Sequence, residues 1–139
     1  MSRVLLLLML HGVTSDIVRD YWQTVDASFA HVNYSTHLHG EAALIKRWKT
    51  AWLNRWAARN SLRGKRVGDY GIGAGLLGEL LCKDYSVAHY VGIDIAARQL
   101  EATAARLDKL PDCNRTLILQ TSKLDFSALG LDVFISQQV

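Results

Sequence analysis

The sequence predicts an α/β protein: half of a doubly wound parallel sheet, incomplete at four strands and preceded by N-terminal helices. The hydrophobic rhythm changes near Leu62, from apolar residues every fourth position to short continuous apolar runs. Beyond Leu62, strand-like and helix-like stretches alternate as strand, helix, strand, helix, strand, strand. A glycine-rich turn, Gly71 to Gly75, separates the first of these strands from the first helix. The chain therefore divides into an N-terminal helical segment, 1–61, and a sheet-forming half-domain, 62–139.

MSRVLLLLML places one arginine before seven apolar residues, too few to span a bilayer. Three readings stay open: a short targeting signal, a buried strand or helix, or an upstream extension of the true start. HGVTSD, which follows, offers no good small-residue cleavage site. A weak helical pattern covers Ser15 to Phe29, and HVNYSTHLHG reads as loop. In EAALIKRWKTAWLNRWAARN, Leu44, Trp48, Trp52 and Trp56 lie along one side of a helix, broadened by Ile45 and Leu53. KRVGDYG then reads as a strand running into the glycine turn, GLLGELLCKDY as a helix, and SVAHYVGID as a strand apolar enough for burial on both faces. AARQLEATAARLDKL is amphipathic, with Ala97, Leu100, Ala104 and Leu107 on one face and Pro111 beyond its end. TLILQT is a third strand, LDFSALG a short turn or helix, and LDVFISQ a fourth strand.

A chain of 139 residues fits one domain, and its apolar and charged fractions, 50% and 21%, are ordinary for a globular protein. Cys82 and Cys113 are far apart in sequence, which fits reduced thiols and a cytoplasmic location. Eight of the 16 basic residues fall between Ala42 and Gly68, where there is no acid. Such a window is either the solvated face of a helix or a contact for an anionic partner; Lys46, Arg47, Lys49 and Arg55 beside tryptophans would suit nucleic acid. His31, His37 and His39 lack a third ligand at metal spacing, so no metal is expected.

VGDYGIGAGLLGE, Val67 to Glu79, carries two fingerprints. From Gly73 it reads G-x-G-x-x-G, the dinucleotide pattern, and from Asp69 it reads D-x-G-x-G-x-G. Both use a turn whose backbone can approach a ligand closely. Both also use an acid about twenty residues on, and here Asp94 ends the second strand, placed to accept hydrogen bonds from ribose hydroxyls. Asp69 separates the two, because at the lip of the site a carboxylate roughly 5 Å from a pyrophosphate would cost about 3 kcal/mol at an effective dielectric near 20. The same carboxylate attracts the sulfonium and ammonium of S-adenosylmethionine.

DYGIGAG at Asp69–Gly75 resembles motif I of the class I (Rossmann-like) S-adenosylmethionine-dependent methyltransferases, VGIDIA at Val91–Ala96 resembles their second motif, and LDVFISQQV their fourth strand. The resemblance implies that Asp69 and the backbone of Gly71, Gly73 and Gly75 lie along the methionine portion of the cofactor. It implies that Asp94 holds the ribose and that Ile95 packs on the adenine. Asp125 either approaches the adenine amine or simply starts the turn of DFSALG, and Phe126 beside it is either a site or a core residue. Ser136 and Gln137 stand where methyl group and acceptor would meet. No catalytic base can be named, and His89 is expected to face the sheet. The Asn/Asp-Pro-Pro-aromatic motif of enzymes that methylate base or amide nitrogens is replaced by Ser136-Gln137-Gln138. That tilts away from DNA-amine and glutamine acceptors and leaves small molecules, lipids, proteins and RNA open, with a small molecule favoured. Full members carry seven strands, so a fourth strand that ends the chain would be an exposed edge open to pairing with another chain. The alternatives are an NAD-binding dehydrogenase domain, on Gly73, Gly75 and Gly78, and a binding module that keeps the fold without turnover.

Overall fold

A computed structural model of the chain describes residues 50–136. A helical stretch over residues 50–57 leads into β1 (Arg66–Tyr70), α1 (Leu76–Asp84), β2 (His89–Asp94), α2 (Ala97–Leu107), β3 (Arg115–Leu119), a 3-10 turn (Phe126–Leu129) and β4 (Val133–Ser136). The strands form one parallel sheet in the order β3-β2-β1-β4. After β3 the chain crosses back to place β4 on the far side of β1. That reversal lies between β1 and β4, where open α/β sheets bind ligands beyond the carboxyl ends of the strands.

The register sets Val67 beside Tyr90 and Val133, and Asp69 beside Gly92 and Ile135. Side chains paired in this way share a face of the sheet, and α1, α2 and the helical stretch cover it. Leu53, Leu62, Val67, Leu77, Leu80, Leu81, Tyr90, Leu107 and Ile135 form its core. On the other face Val91 and Ile93 are fully buried, which accounts for the unbroken apolar run of β2. At the carboxyl end of that face Phe126 meets Phe134 edge-on at 5.0 Å and Tyr70 at 6.0 Å. Phe126 therefore belongs to an aromatic cluster, although it stays 37% exposed.

Three expectations change. The helical stretch 50–57 buries Leu53 completely and packs Trp56 and Ala57 on the core, while Trp52 is 37% exposed. The buried side therefore centres on Leu53, which a rule weighted towards aromatic spacing ranked second. Leu44, Trp48 and the earlier stretch expected to be helical lie outside the described residues, as do Lys46, Arg47 and Lys49. On α2 the buried residues are Gln99, Thr103 and Leu107, with Ala97, Leu100 and Ala104 only half-buried. The face that docks carries two polar residues, of which Thr103 meets the backbone of the glycine turn. Finally, Cys82 and Cys113 are joined in a disulfide, with Cα atoms 5.3 Å apart. The last turn of α1 and the residues before β3 both lie at the amino end of the sheet, so parallel topology brings together cysteines 31 residues apart. The cytoplasmic expectation loses the free thiols on which it rested. No helix among the described residues is long and apolar enough to cross a membrane.

Candidate cofactor site

β1 and β2 end side by side, and each delivers a different part of the site. Beyond Tyr70 the backbone of Gly71, Gly73 and Gly75 takes φ values of 75°, 54° and 81°. This left-handed region is costly for any residue with a Cβ. A Cβ at Gly71 or Gly73 would meet nothing within 4 Å, so both positions border open space. Gly75 is different. It is the N-cap of α1, and a Cβ there would lie 2.7 Å from Thr103 Cγ2 and Oγ1 on α2. Gly78 is as tightly placed, because a Cβ would stand 2.6 Å from Tyr90 Cζ. The four glycines thus serve two needs: open backbone towards a ligand, and close packing of α1 on α2 and β2.

Asp94 is 7% exposed at the end of β2. Oδ2 accepts the N–H of Gly73 at 3.2 Å and Oδ1 accepts the N–H of Ala96 at 2.9 Å. One carboxylate therefore joins the glycine turn to the start of α2. Capping-type bonding and ligand binding are compatible at this residue. Burial raises the Asp94 pKa above the ordinary 3.8, opposed by the backbone N–H groups of Ala96, Gly73, Ile95 and Ile72. Desolvation disfavours the charged form, and hydrogen bonds to that form favour it.

Asp69 does not stand at the lip of the site. It lies within β1, 2% exposed, and its Oδ2 accepts the Tyr90 hydroxyl at 2.9 Å. Burial, then the Asp69 charge and the hydrogen bond to it, push the Tyr90 hydroxyl well above its usual pKa. Two residues before the turn, a strand position faces the core layer between sheet and helices, so the carboxylate sits beneath the turn. Ile95 follows Asp94 and is half-buried. Asp125 is exposed and starts the 3-10 turn, accepting from Ser127 N at 2.9 Å and Ser127 Oγ at 2.6 Å. Those bonds hold its carboxyl below the usual range. Ser136 ends β4 opposite Tyr70, and Gln137 lies outside the described residues. His89 opens β2 and pairs with Thr116 Oγ1 at 2.8 Å on the sheet. Among the described residues no group of three or more His, Cys, Asp or Glu could hold a metal ion.

Sequence inspection missed the residues that brace the turn. Thr103 Oγ1 donates to the Gly73 carbonyl at 3.0 Å. Arg106 Nε donates to the Ala74 carbonyl at 2.9 Å, and the same guanidinium pairs with Glu79 on α1. The available signal was the spacing of Gln99, Thr103 and Leu107, which repeats every four residues along α2.

Two structures of a magnesium protoporphyrin IX methyltransferase from Synechocystis PCC 6803, with bound SAM and with bound SAH, superpose on this chain with TM-scores of 0.64 and 0.68. Identity is 20% and 22%, over 76% and 87% of this chain. The chain has the fold of these methyltransferases. It spans about half of their length, 53% and 57%. A Galdieria sulphuraria protein described as a sarcosine dimethylglycine methyltransferase matches with a TM-score of 0.51 and 18% identity, over 69% of this chain and 41% of its own. No protein-family model matches the sequence, and no curated protein matches it. Within that fold the glycine turn and Asp94 follow or end two neighbouring strands, β1 and β2.

Proposed function

We propose that residues 62–139 form the cofactor-binding portion of an S-adenosylmethionine-dependent methyltransferase acting on a small-molecule acceptor. The observation that carries this is Asp94: a buried carboxylate at the end of β2, bonded to the glycine turn and to the start of α2, where a ribose hydroxyl would find an acceptor. Open space over Gly71 and Gly73 leaves the backbone accessible to the ligand's methionine portion. Asp69, beneath the turn, adds negative potential that suits a cationic sulfonium better than a pyrophosphate. Ile95 supplies an apolar contact for the adenine, and Asp125 lies in the turn after β3 on the adenine side. The cofactor would supply an electrophilic methyl group. The chain's own contribution is to hold that group against the acceptor near Ser136, in line with the attacking atom. The basic residue Arg55 is exposed beside the exposed Trp52, which keeps a nucleic-acid contact as a subordinate proposal. Pairing of a further strand along β4, an edge of the sheet, is another.

Calorimetric titration with S-adenosylhomocysteine, with NAD in parallel, tests the assignment. Binding of S-adenosylhomocysteine alone is expected. Binding of NAD alone would move the chain to the dehydrogenase class, and binding without any methyl transfer by the full-length protein would leave a binding module.

The affinity should depend on pH in one direction. A ribose donor needs ionised Asp94, so binding weakens as pH falls, with a midpoint above 3.8. The stability linkage of this group has the opposite sense. Its folded pKa exceeds its unfolded one, so the stability it contributes is fully present below 3.8 and is lost as pH rises through the folded pKa. Titrations at stepped pH on the unmodified chain and on Asp94→Asn check this, because the acid limb should vanish in the variant.

A further inference from the structure

Gln99 is 1% exposed on α2, and neither its Oε1 nor its Nε2 has a hydrogen-bond partner. A buried primary amide with both ends unpaired is rare and destabilising, and native chains seldom keep one without a use for it. Its position suggests the use. Thr103, one turn further along the same face of α2, donates to the Gly73 carbonyl and packs against Gly75. Gln99 is therefore one turn closer to the helix start, and helical side chains lean towards that end. There the backbone N–H of Ala96 binds Asp94, whose other oxygen holds the N–H of Gly73. Gln99 thus stands on α2 between Ala96 and Thr103, the two residues whose bonds tie down the glycine turn. A primary amide offers one acceptor and one donor group, the complement of a peptide unit. Gly71 and Gly73 border open space where a Cβ would stand, while the Gly71 N–H donates to the Ile93 carbonyl at 2.8 Å, so the turn is held from its β2 side.

We infer that Gln99 is a positioning residue for the bound cofactor: its amide takes up hydrogen bonds with the peptide groups of the glycine turn when the site is loaded, and goes without them when it is empty. The inference rests on the cofactor assignment proposed above and adds a residue outside both sequence motifs. It requires opposite effects of one substitution. Gln99→Met replaces the amide with an apolar side chain of similar size, so the ligand-free chain becomes more stable, because two unpaired buried polar atoms are removed. The same change removes bonds made only in the loaded state, and S-adenosylhomocysteine binds about tenfold more weakly.

Calorimetry of the unmodified chain, Gln99→Met and Gln99→Leu, each with thermal unfolding in the absence of ligand, reads both quantities. Higher melting temperature with weaker binding in either folded variant is the expected result. Higher melting temperature with unchanged binding would overturn the role of Gln99 and leave the cofactor assignment standing. Lower melting temperature in both variants would show that the amide is satisfied in the empty chain, which also overturns it. Failure of the unmodified chain to bind S-adenosylhomocysteine, with its fold intact, would overturn the cofactor assignment and this inference together.

Discussion

Asp94→Ala should abolish most of the affinity for S-adenosylhomocysteine, by about 100-fold if two hydroxyl–carboxylate hydrogen bonds of roughly 1.5 kcal/mol each are lost. The same substitution strands the N–H groups of Gly73 and Ala96, which now share the carboxylate. Each buried donor left unpaired costs about 1–3 kcal/mol, so part of the effect appears as lower stability and a looser glycine turn. Asp94→Asn separates the two contributions. Its single carbonyl oxygen can satisfy one of the two N–H groups, and its amide nitrogen would oppose the other. The asparagine variant should therefore fold better than the alanine variant and still bind poorly. Calorimetry and chemical denaturation on both variants measure the two losses independently. Full affinity in Asp94→Ala would remove the carboxylate from the site.

Gly75→Ala is expected to be strongly damaging, because strained backbone and a steric clash coincide there among the described residues. At φ 81° a Cβ costs about 1–2 kcal/mol in backbone strain. It would also sit 2.7 Å from Thr103 Cγ2 and Oγ1 and 3.0 Å from Thr103 Cβ. Forcing a methyl into packed surroundings costs about 1–3 kcal/mol, so the sum is a large part of the roughly 5–15 kcal/mol that holds a domain folded. Thr103 cannot move without releasing the Gly73 carbonyl, so the turn should loosen as well. Adding Thr103→Ala to Gly75→Ala should recover the steric share and leave the backbone share. Urea denaturation of the two single variants and the double variant gives that coupling directly. Additive effects would mean that the helix adjusts without meeting the new methyl.

Much of this architecture was legible because each signal had one physical cause. The glycine turn could be placed because left-handed backbone excludes nearly every other residue, and β2 because a strand buried on both faces reads as unbroken apolar sequence. Asp94 was legible for the same reason: it ends that run and precedes a helix. What stayed hidden depended on partners distant in sequence. Asp69 was known to be near the turn, but only the pairing of β1 with β2 shows Tyr90 above its carboxylate. Gln99 and Thr103 stay hidden on α2 because apolar residues ordinarily mark a docking face, whereas Thr103 docks by bonding a backbone carbonyl and Gln99 is buried with its amide unpaired. The disulfide was unreadable from a gap of 31 residues, since only the parallel crossover brings its two ends together.

The ties that brace the turn also bear on how the chain acquires its shape. Tyr90 to Asp69, Gly73 to Asp94, Thr103 to Gly73 and Arg106 to Ala74 span 21, 21, 30 and 32 residues. All four lie within β1, α1, β2, α2 and their connections, and none calls on β3 or β4. Closure cost grows only slowly with loop length, so loops of 21 to 32 residues close at modest entropic cost. The cradle can thus assemble while later strands are still leaving the ribosome, and β3 and β4 would then dock onto a template whose binding geometry already exists.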